Sequence, residues 1–304
     1  MDSLDNLKFD FKDQINALNQ IPCRKKFKNC IYVGSGDSYV AGLIAEYFSY
    51  HKFRCYSPSD LMRSRFLKDM TYYFISVTGK TRSNIEVATR ATKAGANTVA
   101  VTLDTTSELA QVCNEIVPLE ITTTDTTTSY STFTANVVTC LQLAGISVPR
   151  NFETWHKNGI ALSSSFRSVG IPRSFLQILG NDILYPMALY ASLKMTEFFG
   201  VTTIPNKIEE FCHSPIFGIK PSHTLWVLGQ AEKTISQKLG NLDNEFNYFE
   251  LKKSDLLSEL FESIFFLQRF MLQLCEKYKH NELKYVLMKK VLAISSDIIY
   301  KGTT

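Results

Sequence analysis

The six residues Ser76-Val77-Thr78-Gly79-Lys80-Thr81 hold three hydroxyls and a glycine between an apolar run, Tyr72 to Ser76, and a segment, Arg82 to Ala94, whose apolar positions recur at helical spacing. A polar turn entering a helix meets unpaired backbone N–H groups and the positive end of the helix dipole, both of which favour an anion. Ser76, Thr78 and Thr81 can each donate a hydroxyl, and Gly79 lets the backbone come close. The same residues would also serve as an ordinary Ser/Thr helix cap, and locally both readings stand open. A second turn, Gly34-Ser35-Gly36-Asp37-Ser38, ends the first apolar run in the same manner. A dinucleotide fingerprint fits it poorly: Tyr39 stands where the third glycine is needed, and the next strand ends Cys55-Tyr56-Ser57 without an acid for a ribose. No glycine-lysine pair stands where a P-loop requires it. What remains is a small phosphorylated ligand held by two hydroxyl-bearing turns.

The elements that must position these turns alternate between short apolar strands and amphipathic helices, the pattern of a parallel sheet covered on both faces. After a helix over 4–18, strands are expected at 30–33, 53–56, 72–76, 98–102 and 115–117, with helices over 39–51, 59–68, 82–94, 107–112 and 131–143. Gly145 to Arg150, with Pro149, breaks the pattern and reads as a linker. Beyond it, helices run through Arg167, followed by strands at 174–180, 201–204, 224–228 and 248–251 and helices over 185–199 and 256–278. Both halves carry an apolar strand ending in glycine and a polar residue ahead of a helix, Val33-Gly34-Ser35 and Leu179-Gly180-Asn181, as two copies of one fold would. The expected class is α/β, two doubly wound parallel-sheet domains in tandem, 1–148 and 149–304; the carboxyl ends of the strands of such sheets are where ligands gather.

Length and composition agree. A chain of 304 residues accommodates two domains of ordinary size. Its 45% hydrophobic and 20% charged residues exclude a disordered or fibrous protein. A net charge of +4, with one dense basic run from Arg24 to Lys28, gives no nucleic-acid surface. Seven cysteines without a CxxC pair read as reduced thiols in a cytosolic protein, with no zinc site and no cofactor expected. The acidic, amphipathic N-terminus is no secretory signal, and no run reaches the roughly 18 apolar residues a membrane span needs.

At this point the residues resemble the sugar isomerase (SIS) family, and specifically tandem-SIS proteins related to the isomerase half of glucosamine-6-phosphate synthase. Gly36-Asp37-Ser38-Tyr39 is similar to the family's glycine-threonine-serine-tyrosine turn, and Ser76 to Thr81 to its phosphate loop, with Thr78 in place of a serine. Ser129 to Thr134 resembles a third active-site segment. Lys194-Met195-Thr196-Glu197 resembles a helix bearing a lysine and a glutamate, and Glu210-Phe211-Cys212-His213-Ser214-Pro215 a histidine loop, 16 positions from Glu197 to His213. The resemblance implies that Gly36, Ser38, Ser76, Val77, Thr78, Gly79 and Thr81 surround the phosphate, that Glu197 moves a proton between C1 and C2, and that His213 opens the sugar ring. It further implies a homodimer in which His213 can come from the neighbouring subunit, and a C-terminal lysine, here Lys301, that meets the sugar carbonyl.

Elementary chemistry is consistent with these roles. Moving a carbonyl from C1 to C2 requires taking a carbon-bound proton and returning it to the next carbon, which one carboxylate can do. Lys194 and Glu197 share a helix face, so the lysine can orient the carboxylate or touch substrate oxygens; an isolated pair of this kind is also a common surface ion pair. A histidine near its ordinary pKa can pass a proton to the ring oxygen, although a lone one is more often structural. Lys301 could equally be a frayed terminal residue. The Thr-rich stretch 121–129, with Thr127 and Ser129, could be a plain loop, yet its hydroxyls suit a sugar and its place ahead of a helix suits a substrate lid. Two departures stand out. Asp37 puts a carboxylate where the family often has a hydroxyl, and Thr124 and Ser131 stand where it has a glutamate and a lysine.

The expected function is therefore a phosphosugar aldose-ketose isomerase acting on a hexose or amino-hexose 6-phosphate. A glucosamine-6-phosphate deaminase would use the same residues, since deamination needs only that the C2 amine leave after the proton shift. A sugar-phosphate sensor is the alternative of a different class; the 28 residues ahead of the first strand are too few for a DNA-binding domain. No glutaminase segment precedes residue 1, so glutamine-dependent amino transfer by this chain alone is not expected.

Overall fold

The computed structural model describes residues 3–22, 29–121, 129–229, 233–251 and 255–300. The chain forms two compact units, one of Asn6–Arg150 together with the segment from Met288 onward, the other of Asn151–Leu287 together with the residues up to Asp5.

The first unit takes in most of helix α1 (Ser3–Gln20), then β1 (Cys30–Gly34), α2 (Asp37–Phe48), β2 (Arg54–Tyr56), α3 (Pro58–Leu61), β3 (Thr71–Ile75), α4 (Arg82–Lys93), β4 (Asn97–Thr102), α5 (Glu108–Val112), β5 (Glu115–Pro118) and α6 (Tyr130–Leu143). Its five strands are all parallel, in the order β2-β1-β3-β4-β5. Every residue of β3 is buried, which explains its unbroken apolar run: helices cover both faces of the sheet. Tyr72 and Phe74 pack with Val87, Ala88 and Leu109 on one face. On the other, Tyr32 stacks on Tyr73 at 5.5 Å, and its hydroxyl donates to the Cys140 carbonyl on α6. All but one residue of α6 is buried, polar Thr134, Asn136 and Thr139 among them.

The second unit contains α7 (Phe152–Ser164), β6 (Phe175–Gly180), α8 (Leu184–Phe199), β7 (Thr202–Asn206), α9 (Ile208–His213), β8 (His223–Leu228), α10 (Lys233–Gly240), β9 (Glu245–Phe249), α11 (Leu256–Lys277) and α12 (Lys284–Leu287). Its four described strands are parallel in the order β7-β6-β8-β9, the order of the first sheet without its fifth strand. Helix α11 carries the Phe261, Phe266 and Phe270 side chains into a cluster with Trp155, Trp226 and Phe249. The glycine that ends the leading strand has the same role in each unit. A Cβ on Gly34 would come 2.8 Å from the backbone of Ser38, and one on Gly180 2.7 Å from that of Leu184, so each strand needs glycine to let the next helix start.

Two expectations are corrected. The helix expected over 59–68 ends at Leu61, because the chain turns there to bring Phe66 against Tyr72, 5.4 Å between ring centres, and to let Leu67 N–H donate to the Tyr72 hydroxyl. The boundary expected at 148/149 differs at the termini: the final helix, α13 (Lys289–Ile299), lies with the first unit. Arg82 on α4 donates to the Asp297 and Tyr300 carbonyls, and Thr81 forms an antiparallel bridge with Tyr300. No disulfide joins the described cysteines, and no described helix is long and apolar enough to cross a membrane.

Candidate functional site

In the first sheet the strand order reverses between β1 and β3, since β2 lies on one side of β1 and β4 and β5 lie beyond β3. The crevice outside the carboxyl ends of those two strands is where a doubly wound sheet holds its ligand. The chain leaves β1 there through Gly34–Ser38 and leaves β3 there through Ser76–Thr81, so the fold brings together the two turns that the sequence singles out.

The Ser76–Thr81 turn is held from behind. Ser76 N–H donates to Val101 O at 3.0 Å, and the Val77 carbonyl accepts from Leu103 N–H and the Thr102 hydroxyl, both at 3.0 Å. Val77 thus faces β4 and fastens the turn to the sheet. Gly79 adopts φ +64°, closes the turn through its N–H to Ser76 O at 3.1 Å, and would overlap Ser107 if it carried a Cβ. Conformation and close approach both demand glycine at this position.

The hydroxyls of the turn separate the two readings left open by sequence. Ser107 and Ser129 cap α5 and α6 in the ordinary way, each accepting a backbone N–H three residues on. Thr81, at the corresponding place on α4, makes no side-chain cap bond; its hydroxyl lies 3.3 Å from that of buried Ser76. Two hydroxyls thus converge, neither capping the helix, ahead of a helix N-terminus that has no acid in its first turn, an arrangement able to receive an anion. The companion turn differs. Asp37 is the first residue of α2 and already puts a carboxylate where that helix dipole favours one, while Ser38 is buried beneath it and Gly36, at φ 55° and ψ −130°, exposes the backbone. The α4 turn leaves its helix N-terminus without a carboxylate, whereas the α2 turn does not.

Ser129 is directed elsewhere. Besides capping α6, its hydroxyl donates to the Asp10 carboxylate on α1 at 3.1 Å, and Ser131 donates to the same carboxylate through its N–H at 3.0 Å and its hydroxyl. Thr132 and Thr134 return their hydroxyls to Ser129 O and Tyr130 O. The segment that resembles a third active-site segment is therefore the buried joint between α1 and α6. Burial raises the Asp10 pKa above its ordinary value, and the Ser131 and Ser129 bonds oppose that rise. Thr127 and Lys301 lie outside the described residues.

In the second unit, Lys194 and Glu197 meet as helix neighbours three apart, Nζ to Oε2 2.7 Å. The lysine side chain is 5% exposed and sits over the Tyr190 ring, whereas the glutamate is 38% exposed. A buried ammonium holding a half-open carboxylate is no surface ion pair. His213 closes α9, largely exposed, with Nε2 3.8 Å from Glu209 on its own helix. Glu197 and His213 belong to different helices, α8 and α9. Helix α8 starts at the carboxyl end of β6 and descends its 16 residues, about 24 Å, to the amino edge, where the Thr196 hydroxyl beside Glu197 donates to Val201 O. β7 then returns, and α9 begins at the opposite edge, its Ile208 N–H bonded to Asn181. No sequence pattern marks Arg82, Asp10 or Tyr190 as partners of the site, since each acts through a contact far away in sequence or by the packing of a helix face.

These features define an α/β protein of two parallel sheets with paired hydroxyl-bearing turns at the switch point of the first. A scan against protein-family models finds no match, and neither does a search of curated proteins. Among solved structures, the chain is similar to glucosamine-6-phosphate deaminase from Thermotoga maritima, 15% identical over 91% of this chain and 96% of that one with a TM-score of 0.74. It is similar also to tagatose-6-phosphate ketose/aldose isomerase from Escherichia coli, 14% identical over 91% and 93% with a TM-score of 0.70. A third is the C-terminal domain of glucosamine-fructose-6-phosphate aminotransferase from Francisella tularensis, 12% identical over 90% and 96% with a TM-score of 0.66. The chain has the fold of these sugar-phosphate proteins along nearly all of its length.

Proposed function

We propose that the protein is a phosphosugar isomerase, built of two SIS-type domains in tandem, that interconverts the aldose and ketose forms of a hexose or amino-hexose 6-phosphate. The observation that carries this reading is the Ser76–Thr81 turn, whose Ser76 and Thr81 hydroxyls converge 3.3 Å apart at the amino end of α4 without capping it. Phosphate is held there by these hydroxyls, Thr78 and first-turn N–H groups, with Gly36 and Ser38 of the companion turn alongside. Glu197 takes the C2 proton of the open-chain aldose and returns it to C1, and Lys194 fixes the carboxylate and lends charge to the developing enediolate oxygen. His213 donates a proton to the ring oxygen to open the sugar. A second copy supplies the His213 imidazole, and the working unit is a homodimer. Lys301 and Thr127 contact the sugar, whereas the engaged hydroxyl of Ser129 speaks for a positioning role instead.

Glucosamine-6-phosphate deamination is the second reading, favoured by the similarity to the Thermotoga maritima deaminase. It uses the same proton transfer with loss of the C2 amine, and Asp37 beside the phosphate turn offers that amine a carboxylate. Incubation with glucosamine, glucose, mannose and fructose 6-phosphates, following ketose and ammonia, tests both. Ketose without ammonia supports isomerisation and ammonia supports deamination. Saturable binding with no turnover of any of the four would leave a sugar-phosphate sensor and refute the enzyme.

A further inference from the structure

Arg82 opens α4 directly after the phosphate turn. A cation at a helix N-terminus is disfavoured by the dipole of its own helix. The side chain does not remain there: its Nη2 donates to Asp297 O at 3.2 Å and Tyr300 O at 3.1 Å, carbonyls in the last turn and C-cap of α13 that the helix cannot satisfy itself. One guanidinium nitrogen thus serves two orphan acceptors at the negative end of α13, where a cation is favoured. Next to it, Thr81 pairs with Tyr300 as an antiparallel bridge, so one residue supplies both a hydroxyl of the cradle and the backbone rung that holds the C-terminal segment. The join encloses space: Ser35, Thr81, Arg82 and Ser83 on one side and Ile298 and Ile299 on the other line a pocket of about 270 Å³.

None of the α13 residues is buried, and Val291, Ile294 and Ile298 are more than half exposed. A helix of 11 residues is too short to persist in water by its own propensity. Its docking depends on the contacts at its end.

We infer that Arg82 is a positioning residue, which fastens the C-terminal helix to the phosphate turn so that α13 forms one wall of the ligand pocket. The inference rests on the reading of that turn as a sugar-phosphate site. An anion bound by Thr81 and the first N–H groups of α4 stiffens the same residues that hold Tyr300, so ligand binding and α13 docking strengthen one another. Arg82 itself points away from the cradle, toward the helix end, and contributes by geometry.

The test is hydrogen exchange on the full chain, wild type against Arg82→Ala and Arg82→Lys, with and without inorganic phosphate, beside turnover of fructose 6-phosphate. Loss of the paired bonds should speed exchange over residues 292–300 about fivefold in Arg82→Ala and less in Arg82→Lys. Inorganic phosphate should still bind within about twofold of wild type and protect 292–300 only when Arg82 is present, while kcat falls more than KM rises. Because Arg82→Ala could unfold the turn, a chain ending at Ser296 provides a second arm: in that background Arg82→Ala should leave inorganic phosphate affinity unchanged, whereas an anion-ligand role would weaken it further. Unchanged exchange in Arg82→Ala would overturn the inference, as would loss of phosphate binding with α13 still protected, which would make Arg82 an anion ligand. If the wild type turns over no sugar phosphate, the enzyme reading fails by itself, and exchange over 292–300 still decides the role of Arg82.

Discussion

Lys194 Nζ lies 2.7 Å from Glu197 Oε2, with the ammonium inside the second unit and the carboxylate half open. One turn of α8 thus supplies both the proposed proton carrier and the charge that holds it still. A buried ammonium deprived of a close carboxylate is destabilising, so Glu197→Gln should cost about 1 to 3 kcal/mol in chemical denaturation. It should also lower kcat by roughly 10² to 10⁴ while leaving substrate affinity nearly unchanged. Combining it with Lys194→Met should recover much of the stability and none of the activity. A double variant as active as wild type would remove Glu197 from the chemistry.

Gly79 combines φ +64° with a Cβ position already filled by Ser107. Gly79→Ala should lower stability by about 1 to 3 kcal/mol and weaken inorganic phosphate binding at the same time. Thermal unfolding and a phosphorus-NMR titration measure the two effects on one sample. An alanine variant with wild-type stability would mean that the turn is looser than its geometry indicates.

Ser76→Ala and Thr81→Ala each remove one hydroxyl of the cradle, while the Thr81 backbone bridge to Tyr300 stays. A hydrogen bond to a charged group contributes about 1.5 to 3 kcal/mol, so each variant should weaken phosphate-ester binding by roughly tenfold or more. The fold should be unaffected, because neither hydroxyl caps α4. Unchanged affinity in both would dismiss this turn as the anion site.

Asp10 accepts Ser129 and Ser131 at the α1–α6 joint, and burial raises its pKa. A carboxyl with a raised folded pKa holds its proton more firmly in the folded state. Its contribution is therefore most favourable below the ordinary value of 3.8 and declines as pH rises from there through the higher folded pKa. Asp10→Asn should flatten that fall in stability between wild type and variant, measured by urea unfolding across this window. Asp10→Ala should cost about 1 to 3 kcal/mol at any pH, because it strands the Ser131 N–H inside the protein. Identical pH profiles for wild type and Asp10→Asn would refute the assignment.

Much of this was legible from residue pattern alone, for physical reasons that also mark the limits. Strands such as Thr71–Ile75 are buried on both faces and read as continuous apolar runs, and the Ser76–Thr81 turn is marked by a glycine that nothing else could replace. Helix α13 gave no comparable sign, since none of its residues is buried and its partner is a pair of backbone carbonyls bonded to an arginine more than 200 positions away. The role of Ser129 was hidden for a similar reason: its position suits a sugar contact, and only the fold brings Asp10 to it. The local pattern also overextended α3, because Phe66 leaves the helix to pack on Tyr72. Burial patterns are written along the chain, while polar partners are chosen across it.

The most direct test is to follow fructose, glucose, mannose and glucosamine 6-phosphates by proton NMR with wild type and Glu197→Gln side by side, after confirming by phosphorus NMR that both bind the sugar phosphate. Conversion by wild type of at least one of the four, with Glu197→Gln binding and leaving it unconverted, is the predicted result. Binding without conversion by wild type, or equal conversion by both proteins, contradicts it.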